Sequence, residues 1–346
     1  MTDAPAPASY AAALTPYADL PDPGPLLALN FGFARARALG TALELRLFTA
    51  LDAAPLDTAE LAGELGCNRR ALDGLLTVLE DFALVARDGE TGWTTTEVSR
   101  AYLVRGSPAY LGDHLDDVLA QWDRWGALTS LTRSGVRGGD LGAPGARGRH
   151  RGMFAGAFPL AVRTAFAVVA VLGPRPAGRV LDFACGSGEW GIALAATDAA
   201  AQVTAHDDPA LLAPARERAA EFGVAERFGC VPADFGRPPF ADGSFDTVVM
   251  AHAGRFAGPR TAARLLGECA RVLRPGGTLL LADVMRTRPG QPPLARPMLA
   301  LSLLVNTQEG GLLAAEDYRA LMAEAGVAPK ECVTRGLVTA LTGERQ

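Results

Sequence analysis

The stretch VLDFACGSGEWG, residues 180–191, decides the fold of this chain, because it combines a buried strand, a glycine turn and the start of a helix. Gly186, Gly188 and Gly191 lack a Cβ atom, so the backbone can approach a ligand closely and the helix can pack tightly on the strand. This pattern predicts a loop that binds a nucleotide-like cofactor at the carboxyl end of the strand.

A second segment, Gln202–His206, predicts the neighbouring strand and is followed directly by Asp207. A carboxylate at this distance from the glycine turn is positioned to accept hydrogen bonds from both hydroxyls of a ribose. Neither the turn nor the acid is specific alone. Together they predict a doubly wound α/β domain that binds a nucleoside cofactor.

Asp182, near the end of the first predicted strand, discriminates between two classes of cofactor. A carboxylate ahead of the loop repels a pyrophosphate and attracts an ammonium group, by the sign of its charge. The residues resemble the first motif of class I S-adenosylmethionine-dependent methyltransferases, which typically reads acid-x-Gly-x-Gly-x-Gly, with Ala184 in the first glycine position. The resemblance implies that Asp182, Gly186, Gly188 and Asp207 bind S-adenosyl-L-methionine.

Three further segments resemble the same family at the expected spacing. Ala233–Phe235 matches the segment that holds the adenine, so Asp234 and Phe235 join the predicted cofactor site. Phe245–Met250 matches the fourth strand, and Val272–Leu281 matches the turn into the fifth strand. The alternative, an α/β domain without a cofactor, requires all these pieces to occur at family spacing by chance.

Composition narrows the class of protein. The chain has 346 residues, 49% of them apolar, and a formal net charge of −5. This length allows two domains, and the negative charge gives no general attraction for nucleic acid or anionic lipid. Five scattered cysteines predict neither a disulfide framework nor a zinc site, so we expect no metal and a cytoplasmic location. We expect no membrane span and no secretory signal.

The first part of the chain predicts a separate, mainly helical module. Residues 1–25 are rich in Ala, Pro and Asp and are expected to be flexible. Asp57–Glu60 forms a capping box that begins a short helix, and a second helix is expected over Asn68–Asp81. Ala83–Thr96 contains an Asp-Gly turn and predicts a hairpin, so residues 26–105 are interpreted as a winged helix.

A winged helix raises the question of DNA binding, in which the second helix enters the major groove. Arg69 and Arg70 begin this helix. Three acids then follow on it, Asp73, Glu80 and Asp81, and the whole chain is acidic. DNA binding therefore ranks second, and no nucleic-acid partner is expected.

The module resembles the N-terminal dimerisation domain of small-molecule O-methyltransferases, in which the wing and long helices interlock two subunits. The resemblance implies a homodimer, and we expect the apolar helix Ala34–Leu51 to be buried against the partner. Residues 106–165 are then a helical linker that roofs the substrate cavity. Residues 166–346 form the S-adenosylmethionine-binding, Rossmann-like domain.

Large apolar side chains mark the predicted acceptor cavity. They imply an apolar, planar acceptor such as an aromatic polyketide or a similar secondary metabolite. Phe154 and Phe158 are four residues apart and are expected to share a helix face. For the tryptophans, core packing is the alternative. The predicted acceptor-binding set is Trp122, Trp125, Phe154, Phe158, Met298 and Asn306.

The residue at the position of the general base departs from the family pattern. Many members use a histidine on the helix after the fifth strand, and the resemblance puts Asn306 at that position. An amide cannot take a proton, so Asn306 is expected only to hydrogen-bond and orient the acceptor. His252, just after the fourth strand, is the remaining candidate base, with framing of the cofactor as the alternative.

Three functions fit these residues. The first is an enzyme that transfers a methyl group from S-adenosylmethionine to a hydroxyl, nitrogen or carbon of an aromatic or polyketide-like metabolite. The second, suggested by the missing histidine, is an enzyme that binds the same cofactor but performs hydroxylase-like or pericyclase-like chemistry. The third is a non-enzymatic dimeric regulator.

Overall fold

The structure is a computed structural model, and it describes residues 20–173, 176–232, 238–286 and 295–346. These residues form a mainly helical N-terminal domain, a helical connection and an α/β domain. The predicted fold class, a Rossmann-like domain preceded by a winged-helix domain, is confirmed. Of the predicted flexible segment, residues 1–19 lie outside the described part of the chain, and a helix already begins at Gly24.

The N-terminal domain packs helices around a small antiparallel sheet with strand order β1-β3-β2. Its elements are α1 Gly24–Asn30, α2 Gly32–Glu44, α3 Leu47–Ala53, β1 Leu56–Asp57, α4 Thr58–Leu65, α5 Arg69–Asp81, β2 Val85–Asp88, β3 Gly92–Thr95 and α6 Glu97–Tyr102. Asp57 caps α4 as predicted, because its carboxylate accepts from the backbone N–H groups of Ala59 and Glu60. Trp93 of β3 is fully buried and fixes the wing to the helices.

The predicted helix over Ala34–Leu51 is interrupted. Arg46 adopts a left-handed conformation (φ 56°) and separates α2 from α3. Beyond this break the apolar side chains lie in the domain's own core: Leu47, Phe48 and Leu51. Five exposed apolar side chains precede this region and form what we call the N-terminal apolar patch: Leu26, Leu27, Leu29, Phe31 and Phe33. The apolar side chains after the break are therefore covered by the chain's own core, which corrects the expectation that they are buried against a partner.

The connection is made of short helices. They are α7 Gly112–Leu119, α8 Trp122–Gly126, α9 Leu128–Ser134, α10 Ala146–Arg149, α11 Arg151–Ala155 and α12 Phe158–Leu172. The glycine-rich stretch between α9 and α11 is packed, since Leu141 and Ala146 are buried. The predicted boundary between linker and cofactor domain, at residues 165–166, falls inside α12. This helix packs against the first helix of the α/β domain.

The α/β domain is built on a sheet whose described strands follow the order β6-β5-β4-β7-β8-β10-β9. The strands are β4 Arg179–Phe183, β5 Gln202–Asp207, β6 Phe228–Pro232, β7 Phe245–Ala251, β8 Leu273–Asp283, β9 Val327–Arg335 and β10 Val338–Arg345. The helices are α13 Glu189–Thr197, α14 Pro209–Glu221, α15 Gly254–Val272, α16 Ala295–Asn306 and α17 Ala315–Glu324. β4 to β8 are parallel, and β10 joins β8 and β9 in antiparallel register.

Two hydrophobic cores cover the two faces of this sheet. Val180 points to the side of α12 and α13, and the next residue, Leu181, points to the side of α15 and α17. β4 lies between β5 and β7, so the strand order reverses direction there. In open α/β sheets, the crevice beyond such a point, at the carboxyl ends of the strands, is where ligands bind. The fold therefore places the binding crevice next to the glycine loop.

The glycine loop uses left-handed backbone conformations in succession. Gly186 has φ 59° and Gly188 has φ 82°, which glycine adopts at little cost. Ala184, in the first glycine position of the family motif, also has a positive φ of 58°. A side chain with a Cβ is strained there, so this substitution is tolerated at an energetic cost.

We predict that the loop backbone, and not the loop side chains, determines the stability effect of substitutions here. Gly186→Ala should lower the free energy of unfolding by about 1 kcal/mol, because an added Cβ comes no closer than 3.8 Å to any atom beyond its chain neighbours and only the backbone is strained. Ala184→Gly should be neutral or stabilising. Ala196→Gly, at an exposed position of α13, is the control and should cost about 1 kcal/mol. Urea denaturation measures all three. Equal losses for Ala184→Gly and Ala196→Gly would contradict the assignment of strain.

Candidate active site

A cavity of about 500 Å³ lies beyond the carboxyl ends of β4, β5 and β7. One wall is the stretch Leu141–Arg147, and the opposite wall is the N-terminal part of α15. Most lining residues are apolar or glycine. The charged ones are Arg147, Asp208 and Arg264. The cavity therefore lies in the crevice that the strand order predicts, and suits a ligand with apolar and polar parts.

Asp182 is buried beneath the glycine loop. Its Oδ2 accepts a hydrogen bond of 2.8 Å from the backbone N–H of Gly191, which fixes the start of α13 on β4. Its Oδ1 has no hydrogen-bond partner among the described residues. Burial raises the pKa of Asp182 well above its ordinary value, and the neighbouring Glu189 adds to this shift. One acceptor atom is thus left for a donor, which fits the ammonium group predicted to bind here.

Asp207 is fully buried at the end of β5 and fastens the glycine loop. Its Oδ2 accepts from the backbone N–H of Gly186 at 2.8 Å, and its Oδ1 accepts from the N–H of Asp208 at 2.7 Å. The two sequence motifs, the glycine turn and the acid after the second strand, therefore meet in space. Gly188 approaches the ring of Phe228 so closely that a Cβ would lie 3.1 Å from it.

Arg147 occupies the remaining acceptor positions of Asp207. Its Nε lies 2.7 Å from Oδ1 and its Nη2 lies 2.5 Å from Oδ2. The guanidinium carbon is 4.4 Å from the centroid of the Phe154 ring. Burial lowers the pKa of Arg147, but the charge and hydrogen bonds of Asp207, together with the neighbouring Cys185 and Glu189, raise it overall, so the guanidinium stays charged. Sequence reasoning missed Arg147, because no periodicity or motif distinguishes one arginine of the glycine-rich stretch from another.

Asp234 and Phe235, predicted to hold the adenine, lie outside the described residues. Their role stays a prediction.

His252 follows β7 in a left-handed conformation (φ 57°) and is held by Arg255. The Nη1 of Arg255 lies 2.6 Å from the Nδ1 of His252. An arginine can only donate, so Nδ1 is the acceptor, and a neutral imidazole then carries its proton on Nε2. In this arrangement neither ring nitrogen is free to take a proton from an acceptor. The geometry supports the framing role that was the alternative for His252.

Asp283, at the end of β8, anchors the arginine behind His252. It accepts from the Nη1 of Arg255 at 2.7 Å and from the hydroxyl of Tyr318 at 2.8 Å. Burial would raise the pKa of Asp283, but the charge of Arg255 and the hydrogen bonds outweigh this, and the pKa lies well below its usual range. Burial and Asp283 raise the pKa of Tyr318 well above its ordinary value. The sequence does contain a signal for Asp283, since it ends a buried strand as Asp207 does.

Asn306 ends α16 and is fully buried. Its Nδ2 donates to the carbonyl oxygen of Ser302 at 3.0 Å, and its Oδ1 has no hydrogen-bond partner among the described residues. Its backbone carbonyl accepts from the N–H of Leu141, so the residue is fastened to the cavity wall. An amide in this position can orient a donor but cannot act as a base. Its contact with an acceptor stays a prediction.

The apolar side chains predicted to surround the acceptor do not converge. Phe154 lines the cavity and meets Phe256 edge to face, with ring centroids 5.3 Å apart. Phe158 begins another helix and packs in the core against Phe222 at 5.8 Å, so the expectation that it shares a face with Phe154 is wrong. Three others lie outside the lining of this cavity, and their role in acceptor binding stays a prediction: Trp122, Trp125 and Met298.

Two searches of the described ranges bear on other kinds of site. None of the helices there is both long and apolar enough to span a membrane. Within the same residues, no group of three or more His, Cys, Asp or Glu side chains is placed to hold a metal ion.

Comparison with known families assigns both domains. Residues 27–105 match the family model described as an O-methyltransferase dimerisation domain, and residues 180–277 match a methyltransferase domain. The chain belongs to the O-methyltransferases. The matched dimerisation domain contains the winged helix, and the matched methyltransferase domain runs from β4 into β8.

Similar proteins span most of this O-methyltransferase. It is 27% identical over 287 residues to the 3-hydroxy-5-methyl-1-naphthoate 3-O-methyltransferase of Streptomyces sahachiroi, covering 81% of this chain and 82% of the relative. It is 24% identical over 304 residues to the tetracenomycin polyketide synthesis 8-O-methyl transferase of Streptomyces glaucescens, covering 86% and 89%. The structure of human N-acetylserotonin methyltransferase with S-adenosylmethionine matches with a TM-score of 0.79 at 20% identity, covering 95% and 99%.

The cofactor of this family is S-adenosyl-L-methionine, and the residues of the crevice fit it. Asp182 offers an unfilled acceptor atom for the ammonium group, and Asp207 ends β5 beside the glycine loop, where the ribose is expected. The glycine loop leaves room for backbone contact with the ligand, since an added Cβ on Gly186 meets only Arg147 and Phe154 within 4 Å. When bound, the cofactor supplies an electrophilic methyl group on a sulfonium.

Asp283, Arg255 and Tyr318 form what we call the Asp283 cluster, and we predict that it is a major contributor to stability. Asp283→Asn should lower the free energy of unfolding by about 3 kcal/mol, because it leaves the charge of Arg255 buried without its partner. Tyr318→Phe should cost only about 1 kcal/mol, the value of one hydrogen bond. Asp242→Asn, which removes an ion pair whose acid is 75% exposed, is the control and should cost less than about 1 kcal/mol.

The same cluster predicts a dependence on pH. The folded pKa of Asp283 is depressed, so its stabilisation is present above the unfolded value of about 4 and is lost as the pH falls towards the folded value. The stability of Asp283→Asn should therefore fall less than that of the wild type as the solution is acidified below about pH 4. Denaturation at a series of pH values measures this, and parallel curves for the two proteins would contradict it.

Proposed function

We propose that the protein transfers the methyl group of S-adenosylmethionine to a ring hydroxyl of an aromatic, polyketide-like secondary metabolite. The observation that carries this proposal is the attachment of the glycine loop to Asp207. This attachment brings two buried carboxylates, those of Asp182 and Asp207, to one crevice. The two Streptomyces relatives, named as O-methyltransferases of a naphthoate and of polyketide synthesis, support the acceptor class. The aromatic edge formed by Phe154 and Phe256 suits a planar ring.

The chain's own residues have three tasks in such a transfer: to hold the cofactor, to align the acceptor oxygen with the methyl group, and to exclude water. Removal of the acceptor proton is not among them, because Asn306 is an amide and the Nδ1 of His252 is engaged by Arg255. An acidic phenol or naphthol ionises in water at moderate pH and reacts as its oxyanion. We therefore propose an acceptor hydroxyl that is already acidic.

This proposal predicts that the acceptor, and not the enzyme, sets the pH dependence. The assay uses labelled-methyl S-adenosylmethionine and two hydroxynaphthoates whose hydroxyl pKa values differ by about 2 units through ring substitution, and kcat/KM is measured against pH. The rising limb should shift between the two acceptors by the difference in their pKa values. In His252→Gln both midpoints should stay where they are in the wild type.

Two outcomes would change the assignment. A midpoint that is the same for both acceptors and is lost in His252→Gln would make His252 the general base. Cofactor binding by calorimetry without any labelled product, across the acceptor panel, would favour the second function, in which the cofactor is retained for other chemistry. The second function remains a candidate because Asn306 stands at the position of the family's histidine base and cannot take a proton.

We further propose that the protein is a homodimer through its N-terminal domain. The N-terminal apolar patch is more than half exposed at each of its five residues, and apolar patches of this kind mark protein interfaces. The match to a dimerisation domain over residues 27–105 includes most of the patch.

The dimer predicts a specific response to charge. Leu29→Asp combined with Phe33→Asp should convert the protein from dimer to a monomer of 36.0 kDa, because each aspartate would lose its hydration in the interface. Light scattering after size-exclusion chromatography measures the mass. Val136→Asp, at a side chain that is 73% exposed outside the patch, is the control and should stay dimeric. A double variant that remains a dimer would place the interface elsewhere.

Two further proposals concern the location of the protein and a nucleic-acid partner. All five cysteines are unpaired thiols, which supports a reducing, cytoplasmic setting. We propose no nucleic-acid partner, because the helix α5 that would enter a groove carries Asp73, Glu80 and Asp81. A mobility shift of duplex DNA at moderate salt would overturn this.

A further inference from the structure

The carboxylate of Asp207 has no acceptor capacity left in this structure. A carboxylate offers about four lone-pair positions. Two are filled by the backbone N–H groups of Gly186 and Asp208, and two are filled by Arg147. A ribose diol needs the same oxygen atoms, so it and the guanidinium compete for one place.

Arg147 makes this contact in the geometry of a strong pair. Two nitrogen atoms of the guanidinium meet the two oxygen atoms of the carboxylate, which is the bidentate arrangement. Its Nη2 also donates to the carbonyl oxygen of Ala184 at 3.2 Å. The side chain of Arg147 is 15% exposed and that of Asp207 is fully buried. The pair therefore closes the ribose end of the crevice and compensates a charge that would otherwise be buried alone.

Arg147 lies on the four-residue helix α10. Gly145, which has a φ of 69°, precedes this helix, and Gly148 lies within it. The wall is fastened upstream, where the N–H of Leu141 donates to the carbonyl of Asn306. Arg147 lines the cavity, so its side chain can leave Asp207 by rotating into that space while the fastened end and the buried Ala146 stay in place.

We propose that Arg147 is a latch on the cofactor site: it holds Asp207 in the cofactor-free chain and is displaced by the ribose hydroxyls when the cofactor binds. This inference rests on the proposed function, since it assumes that Asp207 receives the ribose. It assigns Arg147 a role opposite to that of a ligand-binding arginine. The apparent affinity for the cofactor is the intrinsic affinity multiplied by the fraction of time that Asp207 is free of Arg147.

The test is calorimetric titration of the full chain with S-adenosylhomocysteine, the demethylated form of the cofactor. Arg147→Ala should bind it about tenfold more tightly than the wild type, because the competitor is gone. Arg149→Ala removes the same charge from the same short helix, where Arg149 pairs with Asp140 and is 52% exposed. This control should stay within about twofold of the wild type.

Thermal unfolding supplies a second readout that does not depend on turnover. Without ligand, Arg147→Ala should melt at a lower temperature than the wild type, because Asp207 has lost its counterion. With saturating S-adenosylhomocysteine the two melting temperatures should converge, so the ligand-induced increase is larger in the variant. If Arg147 had a purely structural role, the substitution would lower the melting temperature by the same amount with and without S-adenosylhomocysteine.

The outcomes separate the latch from the proposed function. If the wild type binds S-adenosylhomocysteine and Arg147→Ala binds it equally or more weakly, the latch is overturned and the proposed function stands. If neither protein binds it, the cofactor assignment fails, and the latch fails with it. Arg147→Lys provides a further check: one ammonium cannot bridge both oxygens, so its affinity should lie between those of the wild type and Arg147→Ala.

Discussion

The active-site crevice depends on one constraint: a carboxylate that is removed from water must find donors. Asp182, Asp207 and Asp283 are buried at the carboxyl ends of β4, β5 and β8. Each accepts a hydrogen bond from a backbone N–H group, Asp182 from the first turn of α13, Asp207 from the glycine loop and Asp283 from the residue after β8, so the side chain fixes the path of the main chain. The glycine loop is held in this way from two sides, by Asp182 at the start of α13 and by Asp207 at Gly186.

The three carboxylates differ in how their charge is balanced, and this difference organises the chemistry. Asp283 is paired with Arg255, and the pair occupies one nitrogen of His252. Asp207 is paired with Arg147 at the cavity wall. Asp182 has no arginine, and its pKa is raised. A raised pKa favours the neutral form of this carboxyl, and an ammonium group beside its Oδ1 would favour the charged form, so the binding of a cationic ligand is coupled to the ionisation of Asp182.

Much of this architecture was predictable from sequence, because it depends on local rules. The positive φ values at Gly186 and Gly188 favour glycine, and the segment Gln202–His206 before Asp207 predicts the strand that the structure has as β5. The partners of the carboxylates were not predictable. Arg147 reaches Asp207 across sixty positions from a stretch with no periodic pattern, and Phe158 turned into the core because the chain ends one helix before it and begins another. Contacts between distant segments follow from packing, which no local pattern encodes.

The position of β10 has a consequence for how the domain assembles. β10 pairs with β8 from Glu344↔Thr278 to Thr339↔Asp283, although β8 was made more than fifty residues earlier in the chain. Until β10 arrives, β8 exposes a row of unpaired amides beside an apolar face, which is the kind of edge that recruits other chains. Such non-local pairing is slow. The interval before β10 is synthesised is therefore the stage at which pairing of β8 with other chains competes with completion of the sheet.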